Sequence, residues 1–597
     1  MANTAGKYSR LRKLIQYLRP HWRSVLLGIL ALFAVNSLGT YLPLLIRTVI
    51  DDLEVVFKAT DELEVAASFG PILPNILLIG GLASLMWCIR MASRILLFGT
   101  GRQVEFDLKQ KIFEHLLSLE PSYFATNTAG DLINRATSDV DNIRRLVGFA
   151  VLSLANTLFA YALRLPVMFA IDPVLSLAAI AVYPLILLLV QVFSHRLRNE
   201  QLAVQQSLSN LSELVQEDMS GISLIKIYAQ ETNEQTAFNR LNQALLEANL
   251  KLAKTRNILF PVLGGMASIS LLVLLALGSR AIPSGGISVG DFVALLLYVE
   301  QLIFPTALLG FTITAYQRGE VSIDRIEAIL GVEPQIHSPE QAIRLDKHLV
   351  KGALQAKNLT FTYPGATTPS LNQVNFQIQP GETVAIVGPV GSGKSTLANA
   401  IPRLLDIAPG QLFVDGHDIT QAYLRDLRAA IAYVPQDSFL FSTSLKNNIR
   451  YGNPLSDPSE VEYAAKQSQI HEEVLNFPQR YQTIVGERGI TLSGGQRQRT
   501  ALSRALLVDA PVLILDDALS SVDNQTATDI LNNLSGGTQR KTVVFISHQL
   551  SAAAIADQIL VMDRGEIVQM GTHDQLVQQP GLYQTLWNQQ KLEAQLL

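Results

Sequence analysis

Residues 383–405 read TVAIVGPVGSGKSTLANAIPRLL. An apolar, β-prone run ends at Val387, a glycine-rich turn follows, and a helical apolar run begins after Lys394. The turn from Gly388 to Ser395 fits the pattern G-x-x-x-x-G-K-S. That pattern carries meaning when a strand precedes it and a helix follows, as they do here. Gly388, Gly391 and Gly393 let backbone N–H groups close around phosphate oxygens without side-chain interference. Ser392 and Thr396 complete the loop. Lys394 is expected to reach the β- and γ-phosphates, and Ser395 to ligate Mg²⁺. A chance glycine-rich turn has no reason to sit between these two elements.

A second stretch, VLILDDALSSVD at 512–523, fits the same chemistry. Its buried strand presents Asp516 at the tip, where a carboxylate holds Mg²⁺ through water. Asp517 follows at once. Taken alone, a pair of aspartates reads equally well as a helix cap or a turn. With the phosphate loop upstream, it reads as the metal and water side of a nucleotide site.

Working outward, the chain changes character. It has 597 residues, too many for one compact domain. It is 48% hydrophobic and only 16% charged, too apolar for an ordinary soluble enzyme of this size. A formal net charge of −4 gives no nucleic-acid signal. The single cysteine, Cys88, excludes an internal disulfide framework.

The apolar residues concentrate before position 320. Stretches near 24–47, 72–98, 146–170, 174–194, 257–282 and 289–315 are each long enough to cross a bilayer. KYSRLRKLIQYLRPHWR precedes the first and carries six Lys/Arg and no acid. The apolar run after it is too long for a signal peptide, so a retained helix is expected. The basic N-terminus then stays in the cytoplasm. The loop DDLEVVFKATDELEVAAS, poor in basic residues, suits the outer side. The long polar segments 99–145 and 195–256 suit the inner side. Within RQVEFDLKQKIFEHLLSL, Val104, Leu108, Ile112 and Leu116 share a helical face. The membrane helices are therefore expected to continue beyond the bilayer.

From about 350, short β-rich runs such as IAYVPQ and KTVVFIS alternate with helical segments, an α/β pattern with a partly parallel sheet. The expected organisation is an amphipathic segment at 1–23, a transmembrane domain at 24–320, a linker at 321–351 and a nucleotide-binding domain at 352–590.

LSGGQRQR at 492–499 adds glycines at a helix start, a natural anion site. With FTYPG, YVPQD, GERG, SSVD and ISHQLS in the same order, the C-terminal part resembles the ATP-binding cassette family. SYFATNTAGDLINRATSDVDNIR and LVQEDMSGISLIKIYAQE resemble the inner loops of that family's exporters. In the family, these loops hold coupling helices that touch the nucleotide-binding domains. The resemblance covers nearly the whole chain. It implies six membrane helices per chain, two chains per transporter, and ATP-driven alternating access in the plasma (bacterial inner) membrane, with the ATPase domain cytoplasmic.

The resemblance also implies residue roles. Tyr363 stacks on adenine, Gln436 sits near Mg²⁺ and senses the γ-phosphate, and His548 contacts the γ-phosphate. Ser493, Gly494, Gly495 and Gln496 form the signature that meets ATP held by the other subunit, with Asp523 in the adjoining loop. The family's general base at position 517 is Glu. Asp517 is one methylene shorter, so its oxygens retract by about 1.5 Å, and a displacement of about 1 Å costs on the order of a hundredfold in rate. Such a substitution is typical of one chain of a heterodimer. A homodimer with a slow base is the other form of the exporter reading.

Cargo is not specified by these motifs. Ionisable residues in or near spans are functional suspects: Arg90 and Arg94, Arg164 and Glu300. Interfacial snorkelling is the expectation for Arg94 and Arg164. Glu300 is expected to face a cavity for a cationic or amphipathic cargo, or to pair with Arg90. Drug, lipid, peptide and metal-complex cargo fit equally. A regulatory channel or receptor on the same scaffold is the alternative function. A soluble nucleic-acid ATPase is excluded by the six spans.

Overall fold

The computed structural model describes residues 12–58, 72–283, 285–486, 489–535 and 540–596. Residues 1–11 of the expected amphipathic segment, 59–71 of the expected outer loop, and Glu487 and Arg488 of GERG lie outside the described residues. The chain divides into two compact units, residues 1–117 with 128–332, and 118–127 with 333–597.

The first unit is helical. Among the described residues, six helices are long and apolar enough to cross a membrane. The principal segments are α1 (Trp22–Lys58), α2 (Ile72–Ser118), α3 (Val151–Ile171), α4 (Tyr183–Ser220), α5 (Glu231–Ala281) and α6 (Val289–Leu330). Helix α2 continues without a break well past its apolar stretch, as the spacing of Val104, Leu108 and Ile112 requires. These three are buried with Ile143, Ile323 and Ile326 in one apolar cluster, and Leu116 packs against it. A second cluster gathers Tyr183, Ile186, Val190, Leu274, Tyr298 and Leu302. The fourth span is interrupted at Ala181 and Val182, just before Pro184 at the start of α4. Proline is well placed there, because the first turn of a helix has no use for its missing N–H. Helix α6 starts on a Ser288–Asp291 capping box and runs to Leu330, beyond the boundary expected at 320.

Arg164 departs from the snorkelling expectation. It is buried, with Nε donating to Gln301 Oε1 at 2.9 Å and Nη1 to Asn36 Oδ1 at 3.0 Å. Two amide oxygens from neighbouring helices satisfy the guanidinium inside the bundle, where a buried charge needs partners.

The second unit contains two sheets. β2 (Leu371–Ile378), β1 (Leu354–Phe361), β4 (Leu412–Val414) and β5 (His417–Asp418) form an antiparallel sheet in that order. The second runs β10 (Glu566–Gly571), β9 (Gln558–Asp563), β3 (Thr383–Val387), β8 (Thr542–Ile546), β7 (Val512–Asp516) and β6 (Ile431–Val434). All neighbours in it are parallel except β10 with β9. Strands β3, β7 and β8 are buried along their whole length, which is why they read as continuous apolar runs. Parallel strands end on the same side. The loops after β3, β8, β7 and β6 therefore open together, at the carboxyl edge where α/β sheets bind ligands.

Candidate functional site

The loop after β3 leads into α7 (Lys394–Ala400). Gly393 takes φ +99°, and a Cβ there would stand 2.5 Å from the Ser370 carbonyl oxygen. No other residue fits that conformation and that space. Lys394 is buried, and Nζ donates to the carbonyls of Gly388 at 2.9 Å and Pro389 at 2.7 Å. Burial lowers its pKa, and the charges of Asp517 and Asp516 oppose that shift.

Asp516 closes β7 and is also buried. Its Oδ1 accepts from Ser395 Oγ at 2.9 Å, and its Oδ2 accepts from Tyr433 Oη at 3.2 Å. Burial raises its pKa above the usual carboxylate range. The two hydrogen bonds pull the other way, and the charge of Asp517 adds to the rise. A hydroxyl and a carboxylate in contact are the hard-oxygen donor set that suits Mg²⁺. The glycine-built loop and a buried ammonium beside it suit a nucleotide's phosphates.

Asp517 takes φ +51°, in the left-handed region where Asp is among the favoured non-glycine residues. Its carbonyl accepts from Ser520 Oγ at 2.9 Å and from Gln498 Nε2 at 3.4 Å. One cavity of about 700 Å³ is lined by Lys394, Ser395, Gln436, Asp516, Asp517 and His548, together with Gly391, Ser392, Gly393 and Thr396. Four separate sequence motifs would not share one cavity unless the sheet order brought their loops together.

Tyr363 stands to one side. Its hydroxyl lies 3.4 Å from Thr396 Oγ1, its ring meets Phe361 edge-on, and it does not line the cavity. Ser493, Gly494, Gly495, Gln496 and Asp523 do not line it either. Ser493 caps α8 (Gly494–Leu507) in a capping box with Gln496. A Cβ on Gly495 would stand 2.8 Å from the Ser521 carbonyl oxygen, so the SSVD loop lies directly against the glycines. Asp523 accepts from the Thr526 N–H at 3.0 Å.

Sequence reasoning passed over several residues here. Tyr433 binds Asp516, and its hydroxyl oxygen also lies 2.9 Å from the side-chain amide of Asn399. Its only signal was its place in IAYVPQ, three residues before Gln436. Glu473 accepts from Gln496 Nε2 at 2.9 Å and from Arg499 Nη2, tying the signature to a distant helix. Nothing in the local pattern marked it. In the membrane unit, the expected pairing of Glu300 with Arg90 is not formed among the described residues. Arg90 Nη2 lies 3.6 Å from Met86 Sδ, and Glu300 is exposed.

Comparison with known proteins agrees with this construction. Residues 25–306 match the ABC transporter transmembrane region, and residues 371–520 match the ABC transporter domain. A probable multidrug resistance ABC transporter ATP-binding/permease protein of Bacillus subtilis is 32% identical, over 98% of each chain. A multidrug resistance-like ATP-binding protein of Escherichia coli is 32% identical over 97% of this chain and 96% of that one. An ATP-dependent lipid A-core flippase of Idiomarina loihiensis is 33% identical over 99% of each. A solved bacterial Atm1-family ABC exporter with ATP bound superposes with a TM-score of 0.75 at 25% identity. The match covers 96% of this chain and 98% of that one. With six membrane-crossing helices joined in one chain to a P-loop cassette, the protein belongs to the ATP-binding cassette exporters.

Proposed function

We propose that this chain is one half of a dimeric exporter that moves a small amphipathic molecule across the bacterial inner membrane, with its cassette in the cytoplasm. The observation that carries this reading is the single cavity shared by Lys394, Ser395, Gln436, Asp516, Asp517 and His548. In it, Lys394 binds the β- and γ-phosphate oxygens of ATP, and Tyr363 stacks on the adenine. Ser395, Gln436 and Asp516 hold Mg²⁺, which neutralises charge developing on the phosphate oxygens. Asp517 orients the attacking water, and His548 contacts the γ-phosphate. Ser493, Gly494, Gly495 and Gln496 reach the ATP held by the partner chain, in keeping with their position outside this chain's own cavity.

The short side chain at 517 favours a heterodimer, with this chain's own site weak and the partner's site completed by this chain's signature. The short helices Pro121–Thr126 and Ile222–Ile227 fall within the two stretches that resemble the family's inner loops, which makes them the candidate coupling helices.

The test is transport. The full-length chain, alone and with any co-purifying partner, is reconstituted in liposomes containing a nitrobenzoxadiazole-labelled phospholipid. ATP-dependent loss or gain of dithionite-accessible label supports export. Sustained ATP turnover with no cargo moved, across lipid and drug substrates alike, would favour the regulatory alternative.

A further inference from the structure

The hairpin of β9 and β10 turns on two residues, Arg564 and Gly565, between the paired Asp563 and Glu566. Their φ angles are +46° and +83°. Positive φ at both central residues marks a turn of the type I′ kind, which asparagine, aspartate and glycine favour. Arginine brings such a turn no local advantage. Gly565 fixes the turn against the P-loop. Its N–H donates to the Ser392 carbonyl at 3.0 Å, and its own carbonyl accepts from the Asn372 N–H at 2.8 Å. A Cβ on Gly565 would stand 2.9 Å from the Ser370 carbonyl oxygen. Held there, Arg564 lines the same cavity as Lys394.

Arg564 is exposed, and its guanidinium has no ion pair or hydrogen bond among the described residues. Acids are at hand, since Asp563 and Glu566 flank it. Neither pairs with it, and Glu566 Oε1 instead accepts from Asn372 Nδ2 at 2.5 Å. The charge of the cavity wall gives the arginine a use. Without it, Lys394 stands against Asp516 and Asp517, so the wall is net negative and repels Mg-ATP, itself an anion. Arg564 brings the wall to balance.

The sheet order says which phosphates it serves. Gln436, Asp516 and His548 follow β6, β7 and β8, all on one side of β3. Arg564 follows β9, on the other side of β3. The magnesium and γ-phosphate groups thus stand on one flank of the P-loop and Arg564 on the opposite flank. We propose that Arg564 is a further nucleotide-binding residue, holding the α- and β-phosphates of ATP from the flank away from Asp516. A guanidinium fork matches phosphate oxygens in pairs, as a lysine ammonium does not. ADP carries the same two phosphates, so the contact holds product as well as substrate. The inference rests on the nucleotide reading of this cavity and adds to it a residue outside the motifs that marked the site.

The turn itself supplies the test, because Arg564→Asn suits the backbone better than the native residue and removes the charge. The full-length protein, with any co-purifying partner, is titrated with azido-ATP and with azido-ADP on ice, and labelling is resolved by subunit. Melting temperature without nucleotide is read by scanning fluorimetry. Arg564→Asn is expected to keep or raise the melting temperature while its apparent Kd rises about tenfold for both nucleotides. Arg564→Lys, which keeps the charge and loses the fork, is expected to lose less. If Arg564→Asn misfolds, Arg564→Gly, which also suits the turn, carries the test with the same expected loss. Wild-type labelling in the Asn or Gly variant would overturn the proposal. A loss for azido-ATP with none for azido-ADP would overturn the assignment to the α- and β-phosphates. Lys394→Ala in the same titration separates the two readings. Weaker labelling there with no change in Arg564→Asn defeats only the role of Arg564, whereas no saturable labelling of the wild-type chain defeats the nucleotide reading itself.

Discussion

Ser395 Oγ donates to Asp516 Oδ1 at 2.9 Å, joining residues 121 positions apart in the chain. Strand β8 lies between their two strands, so the sheet order alone brings the P-loop to the aspartate. Asp516 is thereby a buried charge held ready for a cation.

Its burial sets a pH-dependent prediction. The folded state raises the pKa of Asp516, so it binds a proton more tightly than the unfolded chain does. Stability from this group is therefore present at acid pH and lost as pH rises through the folded pKa. Without nucleotide at pH 7.5, Asp516→Asn should raise the melting temperature by about 2 °C or more. The gain should shrink toward pH 4, and Mg-ATP should stabilise the variant far less than wild type. Scanning fluorimetry at both pH values checks this, and a lower melting temperature at pH 7.5 would contradict it.

The role proposed for Lys394 is the main point charge on the phosphates. Lys394→Ala should weaken nucleotide binding at this chain's own site by about tenfold. Azido-ATP photolabelling, resolved by subunit, is the measurement. Unchanged labelling of this chain would refute the phosphate role.

Glu473 positions the signature through Gln496 and Arg499. Glu473→Ala should lower ATPase activity of the dimer about fivefold, a cost near 1 kcal/mol in the transition state. Photolabelling of this chain's own site should not change, because the signature lies outside that cavity. Equal loss in both readouts would point to general unfolding.

Asp517 combines a short reach with a left-handed backbone. Asp517→Glu should extend the carboxylate by about 1.5 Å. ATPase activity should rise, at a small cost in melting temperature from the less suited residue. A fall in activity would mean that Asp517 already stands at the working distance.

Much of this was legible beforehand because the signals were local. The P-loop needs glycine where φ is positive, and Gly393 satisfies that within its own motif. Six apolar stretches announced six membrane helices. The facing residues Val104, Leu108 and Ile112 announced the extension of α2 beyond its apolar part. The illegible parts are pairings across the chain. Arg164 reads as an interfacial residue until Asn36 and Gln301 are seen around it. Tyr433 and Glu473 act through partners 83 and 23 or more positions away, and no spacing reveals that.

The most direct test of the account is asymmetry in ATP turnover by the purified complex at saturating Mg-ATP. In the proposed dimer, Gly494 belongs to the signature that serves the partner's ATP, whereas Asp517, in this chain's own cavity, serves this chain's; a side chain at 494 would also crowd Ser521. Contacts to a transferring phosphoryl group are worth several kcal/mol in the transition state. The account predicts that Asp517→Ala keeps most of the ATPase activity while Gly494→Asp abolishes most of it. If Asp517→Ala alone abolishes turnover, and the chain purifies as an active homodimer, the heterodimer reading is contradicted and Asp517 is a working base.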